Sequence, residues 1–214
     1  MKKILTFATA ALCALTAAAQ SGRCVNETPA LQGGLGTMSF ISPKTWKVGN
    51  QTWSDAVTAT NCRKETYYGV SSGEYNADCR ENGDFGDLFS WCAVSRFQKQ
   101  LCPAPWRVPT TDDFAALDNA LQEGKGSVTV KSGYGTVTRK REMLQGYISY
   151  WGDVYSGFCS AGGALYNQGA YAGFWSQTEN VLVTSYSLHF NANGGVNPQS
   201  RNFKDSGLAL RCVK

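Results

Sequence analysis

The chain has 214 residues, with 20 basic and 16 acidic side chains, one histidine and eight cysteines. A net charge of +4 without a basic stripe argues against a nucleic-acid or anionic-membrane surface. No apolar run approaches the ~20 residues that span a bilayer, and the length suits one domain with a sizeable core.

Lys2 and Lys3 precede a short apolar stretch, Ile4 to Thr16, and Ala17-Ala18-Ala19 supply the small residues of a cleavage site. Residues 1–19 therefore read as a cleavable signal peptide, cut near Gln20, and the mature chain is expected in the periplasm, at the cell surface or beyond it. Cys13 is a poor lipid anchor, because Leu12 stands where such a site wants Gly or Ala. Cleavage leaves seven cysteines and 18 basic against 16 acidic residues. In an oxidising compartment the default is disulfides, with at least one thiol left over. A zinc site fails on spacing: no Cys-x-x-Cys pair occurs, and His189 is the sole histidine.

Residues 20–37 are rich in Gly, Ser and polar side chains and read as a flexible leader to a single domain over residues 38–214. Trp46-Lys47-Val48 and Gln51-Thr52-Trp53 around Gly49-Asn50 read as a strand pair. Cys62 to Gly83 is polar and reads as an insertion loop. Phe85, Leu88, Phe89, Cys92 and Phe97 fall near helical spacing and predict a first helix. A second helix begins at Thr110, where Asp113 completes a capping box, Phe114, Leu117 and Leu121 make an apolar stripe, and Gly124 supplies a stop. Val128-Thr129-Val130 reads as a strand, and Arg139-Lys140-Arg141 as a solvated loop. Tyr147 to Gly173 is a long aromatic, glycine-rich passage without regular period. Later, Tyr186, Leu188 and Phe190 alternate with Ser185, Ser187 and His189, predicting a strand with its polar residues outward, followed by a hairpin turn at Asn193-Gly194. Leu208, Leu210 and Cys212 alternate in a last strand. The pattern is that of an α+β domain.

Four segments, in order, resemble the Fibrobacter succinogenes major paralogous domain family of exported bacterial proteins. These are Trp46 to Trp53, Phe85-Gly86-Asp87-Leu88-Phe89-Ser90-Trp91, the hallmark Cys102-Pro103-Ala104-Pro105-Trp106-Arg107-Val108-Pro109-Thr110, and Phe174-Trp175-Ser176-Gln177-Thr178 with the terminal Leu210-Arg211-Cys212-Val213. Pro105 stands where the family has Gly, and the stretch from Cys62 to Cys79 looks like an extra loop. The resemblance implies a C-type-lectin-like fold: two helices, mixed and antiparallel sheets joining the termini, and a long irregular loop region. It also implies a Cys102–Cys212 disulfide, with Trp106 and Val108 in the core. A Cys62–Cys79 bridge would close the polar insertion, and Cys92, at an apolar helix position, is the candidate buried free thiol.

No motif compels a reaction. His189 has no nucleophile at a fixed spacing and reads as a surface histidine. Kinship with formylglycine-generating enzymes would suggest a copper-dependent oxidase, but only Cys159 and Cys212 could serve it, and Cys212 is better explained as a staple. Asn197-Pro198-Gln199 is superficially like a calcium lectin's sugar loop, yet lacks the carboxylates; it and the Asp78, Asn82, Asp84, Asp87 segment read as turns. Neither cofactor nor metal is expected. The expected function is a secreted or cell-surface, non-catalytic binding domain for adhesion or recognition of an extracellular glycan or surface protein, with a structural envelope protein as the alternative. No membrane insertion follows cleavage. The expected binding residues are Tyr155, Tyr166 and Tyr171, with His189, Asn191 and Asn193; Phe174 and Trp175 are expected in the core.

Overall fold

The computed structural model describes residues 44–59, 62, 79–121, 137–138, 147, 149–152, 155–160, 164–193 and 195–214. The expected signal peptide and leader, residues 128–130, the basic run at 139–141, Asp78 and Gly194 lie outside the described residues. The fold is mixed α+β and mostly β.

Strands β1 (Thr45–Val48) and β2 (Gln51–Ser54) form the expected antiparallel hairpin, with Trp46 opposite Trp53. The C-terminal segment returns to this hairpin. Thr52 and Lys214 exchange backbone hydrogen bonds, the Ser54 amide donates to the Cys212 carbonyl, and the Val57 amide donates to the Leu210 carbonyl. The same segment pairs with Arg107 through Val213 and with Phe89 through Leu208. It therefore threads the middle of the molecule and satisfies backbone groups from several directions.

The first predicted helix is shorter than its apolar spacing suggested. Gly83–Phe85 is a turn of 3-10 helix, β3 (Cys79–Arg80) pairs with β4 (Leu88–Phe89), and α1 covers only Trp91–Arg96, followed by α2 (Gln98–Leu101). Gly86 sits at φ 78°, in the left-handed region, and a Cβ there would lie 2.4 Å from the Ala56 methyl. The Phe89 amide and carbonyl are taken by Leu208. A helix cannot start before Ser90, whose side chain accepts from the Ala93 amide as the N-cap.

Helix α3 (Thr111–Leu121) follows its sequence signals closely. The Asp113 carboxylate accepts from the Thr110 amide (2.7 Å) and hydroxyl (2.8 Å), and the Asp113 amide donates to Thr110 Oγ1 (3.2 Å). Arg107 Nη2 (2.8 Å) and Gln51 Nε2 (2.9 Å) donate to the same carboxylate, so the hallmark segment, the helix start and the β1–β2 hairpin converge on one group. Burial alone would raise this carboxyl, but the hydrogen bonds from Arg107 and Thr110 more than offset it and hold it below the ordinary carboxylate value.

The main sheet has the order β5-β10-β9-β8, all antiparallel: β5 is Val137–Thr138, β8 Tyr171–Glu179, β9 Thr184–Asn191 and β10 Gly195–Phe203. A small hairpin of β6 (Phe158–Cys159) and β7 (Leu165–Tyr166) lies beside it. One core cluster holds Trp53, Phe114, Leu117, Tyr147, Trp151, Phe174, Leu188 and Phe190. The other holds Phe89, Val94, Leu101, Val108, Trp175, Leu210 and Cys212. Successive residues Phe174 and Trp175 enter different clusters, as alternation along a strand demands.

Both expected bridges form, Cys62–Cys79 (Cα–Cα 5.1 Å) and Cys102–Cys212 (5.6 Å). Three expectations need correction. Cys92 is half-buried and disulfide-bonded, to a partner outside the described residues; it faces away from the core that Trp91, Ala93 and Val94 line. The free thiol among the described residues is Cys159. Ser185 and Ser187 are buried while Tyr186 is half-exposed, because Trp175, opposite Ser187, belongs to the second cluster and covers that face of β9. Asn197-Pro198-Gln199 runs within β10, where the register with β9 shifts, and Asn197 Oδ1 accepts from the Gln199 amide. Val108 is buried as expected, whereas Trp106 is half-buried against the second cluster under Lys214 Nζ, 4.5 Å from the ring centre.

Candidate aromatic binding face

Four of the six expected binding residues fall on one side of the main sheet. Tyr171 opposes Asn191 across the β8–β9 ladder, and His189 opposes Gly173 two positions along, so all share a face. The Tyr171 and His189 rings lie 5.6 Å apart. Phe158, from the small hairpin, meets Tyr171 edge-on at 5.5 Å and stacks on Tyr166 at 5.3 Å, with the planes 24° apart. The result is a continuous aromatic row, Tyr166–Phe158–Tyr171–His189. Only its outer end is open: Tyr166 is 46 % exposed.

The row is held by local geometry. Gly157 sits at φ 74°, and a Cβ there would stand 2.6 Å from the Tyr166 carbonyl, so only glycine lets β6 and β7 close. The Tyr171 ring lies over Gly173. Its hydroxyl hydrogen-bonds the Asn202 side chain, whose Nδ2 donates to Ser187 Oγ at 2.6 Å. Burial pushes the Tyr171 phenol above its ordinary value, with the Asn202 bond opposing, and pushes the His189 imidazole below its own. At neutral pH the His189 imidazole in the row is therefore neutral.

Asn191 Oδ1 accepts from the amides of Asn193 (3.0 Å) and Gly195 (3.1 Å), so this side chain shapes the β9–β10 turn. Asn193 is exposed in that turn. Tyr155 is not part of the face. It is half-buried against the first core cluster, 5.7 Å from the Phe190 ring, and Phe190 points to the opposite side of β9 from His189. Phe158 and Asn202 complete the row and were not among the expected site residues. Phe158 stood in an aromatic passage without period, and Asn202 in a late run rich in amides and hydroxyls that does not single it out.

A chain of polar contacts starts beside Gly157 at the small hairpin. Gln168 Nε2 donates to Asn82 Oδ1 at 2.5 Å, and Asn82 Nδ2 donates to the Ser156 carbonyl at 2.9 Å. The Asn82 amide (3.3 Å) and the Ala59 amide (2.8 Å) donate to the buried Asp87 carboxylate. Burial pushes that carboxyl up to about 6 against these two bonds. Asp87 also stands within 4.8 Å of the sulfurs of Cys62 and Cys79, which are committed to each other as a disulfide. Burial pushes the Cys159 thiol up to about 11, with Arg80 opposing, so it is a poor nucleophile at neutral pH.

These features define a mixed α+β, mostly β domain stapled by disulfides and bearing an aromatic face. The chain belongs to the family of the Fibrobacter succinogenes major domain, whose model its residues 46–214 match. No curated protein and no solved structure matches it.

Proposed function

We propose that this protein is an exported, non-catalytic recognition domain of C-type-lectin-like fold that binds a neutral glycan or a surface protein without calcium. The observation that carries the reading is the aromatic row ending in the open ring of Tyr166, followed in the chain by the exposed amides of Asn167 and Gln168. A flat ring whose back is already stacked on Phe158 presents apolar area without ordering cost, and nearby amides suit the rim of a sugar. The return of the C-terminal segment to the N-terminal hairpin, with helices between, supports the lectin-like fold. The bridges support an oxidising compartment, and no helix among the described residues is long and apolar enough to cross a membrane.

An oxidase reading has less to stand on, since Cys212 is bridged to Cys102 and, among the described residues, Cys159 alone remains as a buried thiol. The deciding experiment is a glycan array with and without chelator. Chelator-insensitive binding that Tyr166→Ala abolishes supports this reading. Binding that chelator removes, or copper-dependent oxygen uptake, overturns it.

A further inference from the structure

We propose that Cys62, Cys79 and Asp87 form a redox-gated site for a thiophilic divalent cation of the zinc class, closed by the Cys62–Cys79 bridge and opened when a dithiol reduces it. The two sulfurs and a carboxylate oxygen lie within 4.8 Å of one another. Zinc holds sulfur at about 2.3 Å and carboxylate oxygen at about 2.0–2.2 Å, so one ion bridges donors up to about 4.6 Å apart. The carboxylate already stands near that distance. Once the bridge is open, the sulfurs have only to turn apart on Cα atoms 5.1 Å from each other.

The carboxylate is the part of this cluster that the disulfide leaves unexplained. A disulfide is neutral and needs no charged neighbour, yet Asp87 is 4 % exposed beside it. Among the described residues its partners are the Ala59 and Asn82 amides, and no Lys or Arg pairs with it. Glu81, the charged side chain that acts on it, is acidic and adds to the cost of burial. Arg80, next to Cys79, turns instead to Cys159. Reduction sharpens the conflict, because two thiols and a carboxylate then share one dry pocket. A dication is the partner all three lack.

Backbone bonds hold the donors in place before any ion arrives. The Cys62 amide donates to the Ala59 carbonyl at 3.1 Å, and the Asp87 amide to the Val57 carbonyl at 3.0 Å. Cys79 is fixed in β3 opposite Phe89. The Ala59 amide takes one lone pair of Asp87 Oδ2 and the Asn82 amide one of Oδ1, so each oxygen keeps a second for a metal. Val57, Ala59 and Phe89 share the apolar cluster of the two cysteines and shield the site.

Opening the site breaks the Cys62–Cys79 S–S bond. The dithiol supplies two electrons and two protons and is itself left as a disulfide. Metal binding then releases both thiol protons to solvent. Under reducing conditions the ion takes over the cross-link that the bridge supplies under oxidising ones.

The test reduces the purified full chain with dithiothreitol, removes the reductant anaerobically, and titrates with Co²⁺ and then Zn²⁺. Cobalt should give thiolate-to-metal charge-transfer absorption, zinc should displace it, and the unreduced chain should show none. In the reduced wild type, zinc should slow iodoacetamide alkylation of Cys62 and Cys79, read by peptide mass, at least about tenfold more than that of Cys102 and Cys212. Asp87→Asn should keep the charge-transfer band and weaken zinc at least about tenfold in competition with a chromophoric chelator. A reduced chain that takes up no cobalt, folded or not, overturns the proposal. So does protection that falls on Cys102 and Cys212 instead, or zinc affinity unchanged in Asp87→Asn.

Discussion

The Arg211 guanidinium lies 4.4 Å from the centre of the Trp151 ring, fully inside the protein. Its Nη2 donates to the Gly152 carbonyl at 2.9 Å and stands 3.6 Å from Asp55 Oδ1, and its Nη1 donates to the Trp151 carbonyl. One cation thereby anchors the otherwise irregular backbone at residues 151–152 to the C-terminal segment and to the loop after β2. Arg211→Ala leaves the Trp151 and Gly152 carbonyls without this donor and Asp55 without its countercharge, and should cost about 3–5 kcal/mol. Arg211→Lys keeps the charge but not the planar fork, and should recover less than half of the loss. Urea unfolding, read as a fall in midpoint at constant slope, measures both.

The two bridges differ in the loop they close, 110 residues for Cys102–Cys212 and 17 for Cys62–Cys79. In the chain-entropy account they contribute about 4–5 and about 3 kcal/mol respectively. The paired serine variants Cys102→Ser/Cys212→Ser and Cys62→Ser/Cys79→Ser should unfold in that order of severity. Equal losses would mean that native-state packing, not loop length, sets the effect.

Asp87 should make stability fall as pH rises. Its carboxyl sits at about 6 in the folded protein and near 3.9 in an unfolded chain. Its contribution is therefore complete below about pH 4 and is lost as pH climbs through 6. The size is on the order of 2–3 kcal/mol. Asp113, held below its ordinary value, works the other way: its contribution is present above about pH 4 and is lost as pH falls through the folded value. Asp87→Asn should flatten the decline between pH 4 and 6 while leaving the acid limb intact. Chemical denaturation across pH 3–8 follows both limbs.

Tyr166→Ala should remove ligand affinity at least tenfold, about 1.4 kcal/mol or more, while shifting unfolding by no more than about 1 kcal/mol. Tyr171→Phe removes the hydrogen bond to Asn202 without opening the row. It should cost about 1 kcal/mol of stability and leave affinity nearly unchanged. Titration calorimetry on any array hit, paired with thermal melts, separates the roles. Loss of affinity in Tyr171→Phe equal to that in Tyr166→Ala would place the contact deeper than the open ring.

What could be read beforehand was whatever the chain decides locally. The Thr110–Asp113 box and the stripe Phe114, Leu117, Leu121 lie within three turns of one helix, and α3 appears where they put it. The turn at Gly49-Asn50 was legible for the same reason. Phe85, Leu88 and Phe89 misled because helical spacing is silent about a partner 119 residues away, and Leu208 takes the backbone of Phe89. Ser185 and Ser187 misled because their cover comes from Trp175 on the next strand. The aromatic row was half legible: Tyr166, Tyr171 and His189 were named, but Tyr155 carries the same side chain and lies on the other face of the sheet. Residue type does not report which face a loop presents.

The threading of residues 208–213 through the molecule bears on the order in which the structure can be made. Cys212 donates its amide to Ser54 Oγ across 158 residues, and the backbones of Val57, Phe89 and Arg107 wait on the same segment. A chain synthesised from its N-terminus holds these earlier pieces unfinished until residue 213 has emerged. For that interval the Cys102 thiol is exposed to every wrong partner upstream of it. Mispairing there, more than weakness of the finished fold, is the hazard this architecture accepts, and contacts so distant in sequence also set a slow pace for its completion.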